Sequence, residues 1–559
     1  MDVRSLSRTA AVVLLLVLTA TWAPPAGAQS PIAPPTPGNR ITASEAKAAA
    51  LRVPAIAKVR REHPGTTVSS QLKDGHWIVD VNAKARPGEA IHGLAQAYVD
   101  PSTGLVTESW TGFQVAWTMA RGYPGAFGQS VNSPWIWVTL CVLFVVPFFD
   151  IRRPFRWLHA DLLALVGFSA SLAFFNNARL DLSVPLCYPL LVYLLARLLW
   201  IGLRRSAAPA EPLRLNVPWR WLAIAALFLV GFRIGLNAAD GNVIDVGYSG
   251  VIGADKLAHG REVWGAFPSD NEHGDTYGPL LYLAYVPFEL VLPWHGSWDT
   301  LPAAHAASGF FDLLCVGLLF LIGRRISGAP LGAALAYAWV TFPFTIYATN
   351  AGTNDALPAA LILAALLAHA RPMGRGALIA AAGLTKFSPL PLLALWAFHD
   401  LGPPGGRWRR LLGFAVGAAL VFALGAAIVL VSSSPQTFWD RTIGFQAGRD
   451  APFSVWGYYG GGWEIVQRIV QAGALILAVA LAFVPRRDDM VGLAALSGAL
   501  LVAFQLATTY WFYLYLVWVA PLAMIAFVAR LPVPQVSPAR APAPAPARSN
   551  QPAVAASSG

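Results

Sequence analysis

Ionisable and amide side chains are scarce in this sequence, and those that stand between apolar runs fall into separate groups. The first holds Asp240 and Asp245, followed by Asp270, Glu272, His273 and Asp275. The turn TNAGTNDAL carries Asn350, Asn354 and Asp355; a lone cation, Lys386, sits in TKFSP; and FWDRTIGFQAGRDAPF carries Asp440, Arg441, Gln446, Arg449 and Asp450. Acids that face Lys and Arg suit transfer of a group from a phosphate-linked donor. A carboxylate takes the proton of an attacking hydroxyl or holds a divalent metal, and the cations steady a phosphate leaving group.

Each candidate has a plainer reading beside it. Asp240 and Asp245 follow the same apolar run, and either is a helix-terminating loop acid if it is not catalytic. Lys386 lies inside an apolar stretch, where an ionisable group is costly and by default functional; the plain alternative is snorkelling to the interface. The cluster from Asp270 to Asp275 offers oxygen and imidazole ligands to a metal. Its HGD sequence beside Gly and Pro is ordinary turn composition, so a solvated loop is preferred. Arg441 and Arg449 either contact substrate or anchor an interfacial helix. The run YWFYLYLVW, Tyr510 to Trp518, reads as an interfacial aromatic belt, with Tyr510 at its outer end placed to stack on a sugar.

The scaffold that must position these groups is a membrane protein. The 559 residues are 56% hydrophobic and 12% charged, and the mean hydropathy of +0.52 excludes a soluble multidomain enzyme. The formal charge of +11 resides largely in arginine pairs between apolar runs: Arg152 and Arg153, Arg204 and Arg205, Arg324 and Arg325, Arg409 and Arg410, Arg486 and Arg487. That is the positive-inside pattern, which reports topology and gives no reason to expect nucleic acid. Cys141, Cys187 and Cys315 lie in apolar segments and form neither a disulfide framework nor a metal cluster.

Residues 1–28 read as a signal peptide, with Arg4 and Arg8, an apolar core and the small-residue ending AGA before Gln29; an uncleaved anchor is the alternative. Residues 29–40 form a Pro-rich linker. Residues 41–112 form a small α+β unit outside the cytoplasm. Its ASEAKAAALRVPAIAKVRREH reads as helix, TTVSSQL and HWIVDVNA alternate as strands, and QAYVDPSTGLVTESW is a hairpin turning at Pro101 to Gly104.

Charge and hydropathy then give one threading. Pro134–Phe149 crosses inward, Leu162–Asn176 outward, Pro185–Leu203 inward and Trp219–Leu236 outward, leaving Asp240 and Asp245 outside. The segment IDVGYSGVIGADKLAHGREVWG reads as an amphipathic helix along the bilayer surface. Val251, Ala254, Leu257 and Ala258 recur on one side; Asp255, Lys256, His259 and Glu262 fall on the other. Tyr277–Trp294 is interfacial or re-entrant, because a full span there would put Arg324 and Arg325 outside; Pro279, Pro287 and Pro293 break it. Ala303–Ile322, Leu331–Thr349 and Ala356–His369 follow, and Gly376–Phe398 is a pair of half-helices with TKFSP at its tip. Leu411–Val431, Trp463–Val484, Val491–Thr508 and Tyr510–Ala529 complete about eleven spans plus the re-entrant pair. Residues 531–559 are a Pro/Ala-rich cytoplasmic tail expected to be disordered.

Two resemblances follow from these motifs. The hairpin YVDPSTGLVTES after a helix and two strands resembles a PepSY-like domain, whose role in extracytoplasmic proteins is often regulatory or inhibitory. From Trp219 to Arg530 the chain resembles GT-C glycosyltransferases, most nearly family 87. The likeness rests on the span-terminal acid with D-x-x-Y, on ADKLAHGREVWG, YGPLLY and FFDLLCVGLLFLIGRR, and on TNDAL and GLTKF. It implies a GT-C-like catalytic domain over 219–530, with 134–218 as accessory transmembrane helices. It further implies inverting transfer of a hexose or pentose, mannose- or arabinose-like, from a polyprenyl-phosphate donor to an envelope lipid, glycan or protein. The place would be the extracytoplasmic face of a bacterial cytoplasmic membrane.

Carried over by position, Asp245 is the catalytic acid-or-base residue, with Asp240 sharing the candidacy. Asp355 and Asn354 shape the site, Lys386 contacts the donor phosphate, and Gln446 and Arg449 contact donor or acceptor. Val246 stands where the family pattern commonly has a second acid; no cofactor is implied with certainty, and a divalent metal, Mg or Mn, stays open. The competing readings are a transporter or flippase of a lipid-linked or anionic substrate, and a sensor or assembly protein. A transporter would carry charged residues near mid-membrane in facing spans, whereas the sequence places nearly all ionisable groups at loop edges, Lys386 excepted.

Overall fold

The computed structural model describes residues 41–73, 75–83, 93–111, 115, 128–176, 179–204, 215–268, 271–400, 404–448, 453–459, 462–484, 487–529 and 559. The signal peptide, the linker, nearly all of the tail, and Asp270, Arg449 and Asp450 lie outside the described residues.

The N-terminal unit has the expected layout. Thr42 caps the helix Ala43–Arg52 in a reciprocal pair with Glu45, and Pro54 forces Val53 into an extended conformation that starts a second helix, Pro54–Glu62. Strands β1 (Thr67–Lys73), β2 (His76–Asn82), β3 (Gly93–Val99) and β4 (Val106–Thr111) form an antiparallel meander in sequence order. Because side chains alternate across the pleat, Val79, Val81, Ala95, Ala97 and Val99 cover the helices through Ala46, Ala50 and Ile56. Ile78, Tyr98 and Trp110, on the other face, are buried in the apolar cluster that continues through the membrane helices. Both sheet faces are therefore covered.

All the expected membrane segments are helical, but they differ in length. Seven helices are long and apolar enough to cross a bilayer: Trp157–Asn176, Leu180–Leu203, Trp219–Asp240, Pro302–Ser327, Arg407–Ser432, Glu464–Phe483 and Met490–Ala507. An eighth, Ala329–Thr341 with Pro343–Asn350, is bent by 57° where Pro343 interrupts the backbone bonding. Three expected spans are shorter helices, Pro134–Phe148, Ala356–Leu367 and Tyr513–Val528. Ala356–Leu367 has 12 residues, about 18 Å of rise. Most of its residues are buried among other helices, where a short helix can sit without spanning lipid by itself.

The half-helix pair is as expected from the sequence. Helix Pro372–Thr385 rises to the tip, the chain turns through residues 386–391, and Leu392–Ala397 returns. Arg375, at the foot of the rising arm, donates to the carbonyls of His369 (2.9 Å) and His399 (2.6 Å), which closes the base.

Two features depart from the expectation. The helix Asp245–Ala258 does not present a free face as the amphipathic reading expects: residues 247–255 are all buried within protein, Asp255 among them. It packs under Pro279–Val291, where a Cβ on Gly253 would fall 2.0 Å from the Tyr282 ring and one on Gly250 2.6 Å from the Tyr285 ring. The amphipathic pattern is real, but the bare glycine face takes protein. Asp255 is held there by Arg261, at 2.9 and 2.8 Å.

Charges also occur within the bundle. Arg233, on Trp219–Asp240, pairs with Asp312, on Pro302–Ser327, at 2.5 Å; Arg197 pairs with Asp161 at 2.7 Å. Lys386 is therefore not the chief exception to a charge-free interior.

Candidate active site

The first candidate loop and the Asn350–Asp355 turn are tied main chain to main chain. Asn242 N donates to the Asn350 carbonyl (3.0 Å) and Ile244 N to that of Ala351 (3.2 Å). A Cβ on Gly247 would fall 2.0 Å from the Gly352 carbonyl, so only glycine permits this approach. Asn354 Nδ2 then donates to the Val246 carbonyl at 3.0 Å. Asp245 opens its helix with an exposed carboxylate, the end where an acid complements the helix dipole.

The tip of the half-helix pair meets the same place. Gly278 N donates to the Thr385 carbonyl (3.2 Å), and a Cβ on Gly278 would stand 2.1 Å from the Leu384 carbonyl. Lys386 Nζ is 2.5 Å from Asp355 Oδ1, which also accepts the Trp518 indole N–H at 3.0 Å. The ammonium lies over two rings, 5.4 Å from the centre of Tyr277 and 5.2 Å from that of Trp518. Asp355 is wholly buried and Lys386 is 7% exposed. Asp355 Oδ2 and Asn354 Oδ1 are buried with no hydrogen-bond partner among the described residues. Burial, and then the Asp245 and Asp355 carboxylates, hold the Tyr277 phenol well above its usual value, so it stays a hydroxyl donor.

The remaining candidates divide. Gln446 donates to Thr276 Oγ1 at 2.7 Å, beside Tyr277. Tyr510 leads into the site through rings: it stands 6.2 Å from Tyr515, which stacks on Trp518 at 4.3 Å. Asp240 turns elsewhere; its Oδ2 accepts the Ser130 N–H at 3.0 Å, which holds the segment entering the first membrane helix. Asp275 and Glu272 bind Arg441, with Asp275 Oδ2 accepting from Arg441 Nε and from Gly265 N, each at 2.7 Å. His273 stacks on Phe445 at 4.6 Å. That acidic cluster clamps one loop to another. Among the described residues no three of His, Cys, Asp and Glu gather as a metal-holding group.

Residues 276–545, just under half of the chain, match the model of glycosyltransferase family 87. Over that region the chain is similar to family 87, which supports a membrane glycosyltransferase. No curated protein matches it. The matched region takes in Asn354, Asp355, Lys386, Gln446, Arg449 and Tyr510, and starts beyond Asp240 and Asp245.

Two groups that complete the Lys386 environment carry little signal in the sequence. Trp518 looked like one more ring of an interfacial belt, yet its N–H is committed to Asp355. Tyr277 begins an apolar run and carried no signal of its own beyond standing at the helix start YGPLLY. The arrangement ties the helix that opens on an exposed acid to the turn whose carboxylate holds a buried cation between two rings. That pairing suits proton abstraction on one side and neutralisation of a leaving anion on the other.

Proposed function

We propose that this glycosyltransferase uses a polyprenyl-phosphate sugar, mannose- or arabinose-like, and glycosylates an envelope lipid, glycan or protein at the extracytoplasmic face of a bacterial cytoplasmic membrane. The acceptor hydroxyl attacks the anomeric carbon while the Asp245 carboxylate takes its proton. The bond from that carbon to the phosphate oxygen breaks, and polyprenyl phosphate departs with the electron pair beside Lys386. Attack opposite the departing group inverts the anomeric centre. Gln446 and Arg449 contact donor or acceptor, and Tyr510 stacks on the sugar. Val246 follows Asp245, so the step uses one acid and no acid pair.

The observation that supports this most is the Asp355–Lys386 pair beside the Tyr277 ring, with the start of the Asp245 helix tied to the Asp355 turn through Asn354 and the Val246 carbonyl. The arginine pairs flanking the spans support the sidedness. Charges in facing spans would favour a transporter, and Arg233 with Asp312 fit that description. Every polar atom of that pair is already taken by protein, however, which leaves nothing for a passing substrate.

The test is sugar transfer from radiolabelled polyprenyl-phosphate mannose and arabinose in membranes carrying wild type or Asp245→Asn. Loss of a general base is expected to slow transfer by about 10²- to 10⁴-fold. Equal transfer by both removes Asp245 from the mechanism, and labelling from neither donor puts the transport reading ahead. Cysteine-accessibility mapping that places residue 245 on the cytoplasmic side overturns the sidedness.

A further inference from the structure

Around the Lys386 ammonium nearly every polar group is spent. Asp355 Oδ1 accepts both Lys386 and the Trp518 N–H, which uses the indole's one donor. Asp355 Oδ2 is unpartnered but wholly buried, out of reach of anything at the surface. The Tyr277 hydroxyl differs on both counts: among the described residues it takes part in no hydrogen bond, and Tyr277 is half-buried.

The position of Tyr277 is fixed by its main chain, which leaves the hydroxyl unneeded for the fold. Its N–H donates to the Tyr282 hydroxyl and its carbonyl accepts the Trp264 indole, each at 3.3 Å. Its neighbour Gly278 is bonded to the Lys386 tip through Thr385. The ring flanks the ammonium on one side as Trp518 does on another. Burial, and then the Asp245 and Asp355 carboxylates, keep its phenol a neutral hydroxyl. The ring that carries this O–H lies 5.4 Å from the ammonium, and a hydroxyl and an ammonium are both donors, the kinds of group that bind an anionic oxygen.

We propose that Tyr277 is a donor-binding residue, its hydroxyl hydrogen-bonding a phosphate oxygen of the lipid-linked sugar while its ring confines the Lys386 ammonium. This rests on the reading of the donor as a polyprenyl phosphate. Tyr277 binds the leaving group and leaves the proton abstraction to Asp245.

The experiment measures binding of radiolabelled polyprenyl phosphate, the leaving group without its sugar, to the purified full chain in lipid nanodiscs. Tyr277→Phe keeps the ring and removes the oxygen, so its melting temperature should match wild type. Its affinity should fall about ten- to a hundredfold, the usual worth of a hydrogen bond to a charged group. Polyprenol, which lacks the phosphate, should bind Tyr277→Phe and wild type alike. Equal affinity of Tyr277→Phe and wild type for polyprenyl phosphate overturns the role of Tyr277 and leaves Asp245 untouched. An equal loss of polyprenol binding in Tyr277→Phe reduces Tyr277 to packing and also overturns it. No binding by wild type overturns both this inference and the donor assignment.

Discussion

Two buried ion pairs of the same charge type sit in this molecule, and they are finished differently. Arg233 gives Nε and Nη2 to the two oxygens of Asp312, at 3.1 and 2.5 Å, and further bonds to Val340, Thr345 and Thr349; Trp339 adds 2.8 Å to Asp312 Oδ1. Lys386 and Asp355 share a contact of 2.5 Å and a tryptophan N–H as well, yet one oxygen of Asp355 has no partner. A buried polar group left unsatisfied costs about 1–3 kcal/mol, so natural proteins keep few of them without a use. The completed pair joins two spans and the bent helix into one unit. The incomplete pair lies where the half-helix tip meets the turn that is tied to the start of the Asp245 helix.

The difference is open to mutation. Asp312→Ala leaves the Arg233 guanidinium buried and unpaired, which should lower stability by about 3–5 kcal/mol. Unfolding of the purified protein in mixed micelles measures it, and the activity of each folded molecule should stay near wild type. Asp355→Asn should divide the other way. The amide oxygen still accepts from Lys386 and Trp518, so stability should fall by under about 2 kcal/mol. Sugar transfer should fall about ten- to a hundredfold, because a charge-assisted bond that holds the cation is replaced by a neutral one. If Asp355→Asn unfolds as readily as Asp312→Ala and transfers sugar normally, the two pairs are both scaffold and the comparison fails.

Legibility in the sequence followed the range of the interaction. The hairpin at Asp100–Gly104, the strands and the half-helix tip depend on neighbours in sequence, and turn residues and periodicity reveal them. Lys386 and Asp355 stood out because each is a polar residue beside an apolar run. Their pairing is a long-range fact that placed both on the same side without showing the contact. Arg233 and Asp312 carry no such signal, because nothing in their spacing shows that they face each other. Asp255 read as a solvent-side residue for a similar reason: amphipathicity gives the direction of a face and not what covers it. The family match covers the tip and the turn but begins after Asp245, so that residue's role depends most on geometry.

A third carboxylate sharpens the contrast at its weak end, where water competes. Asp100 Oδ1 accepts from Ser102 N (2.8 Å), Ser102 Oγ (2.6 Å) and Thr103 N (2.9 Å) at the hairpin turn of the N-terminal unit. With the Ser102 hydroxyl as the largest cause, these bonds lower its pKa from 3.8 to about 2. A depressed folded pKa means that the charged form is favoured by folding. Its stabilisation is present above pH about 4 and fades as pH falls through about 2. The turn is at the surface, so solvent screening should hold the effect below about 1 kcal/mol. Hydrogen exchange of the intact protein, corrected for intrinsic rates, should show protection of the Ser102 and Thr103 amides declining across that window. The same amides in Asp100→Asn should start less protected and change little with pH. A decline as steep in the variant as in wild type would assign the pH response to another group and leave the three-bond carboxylate without measurable weight.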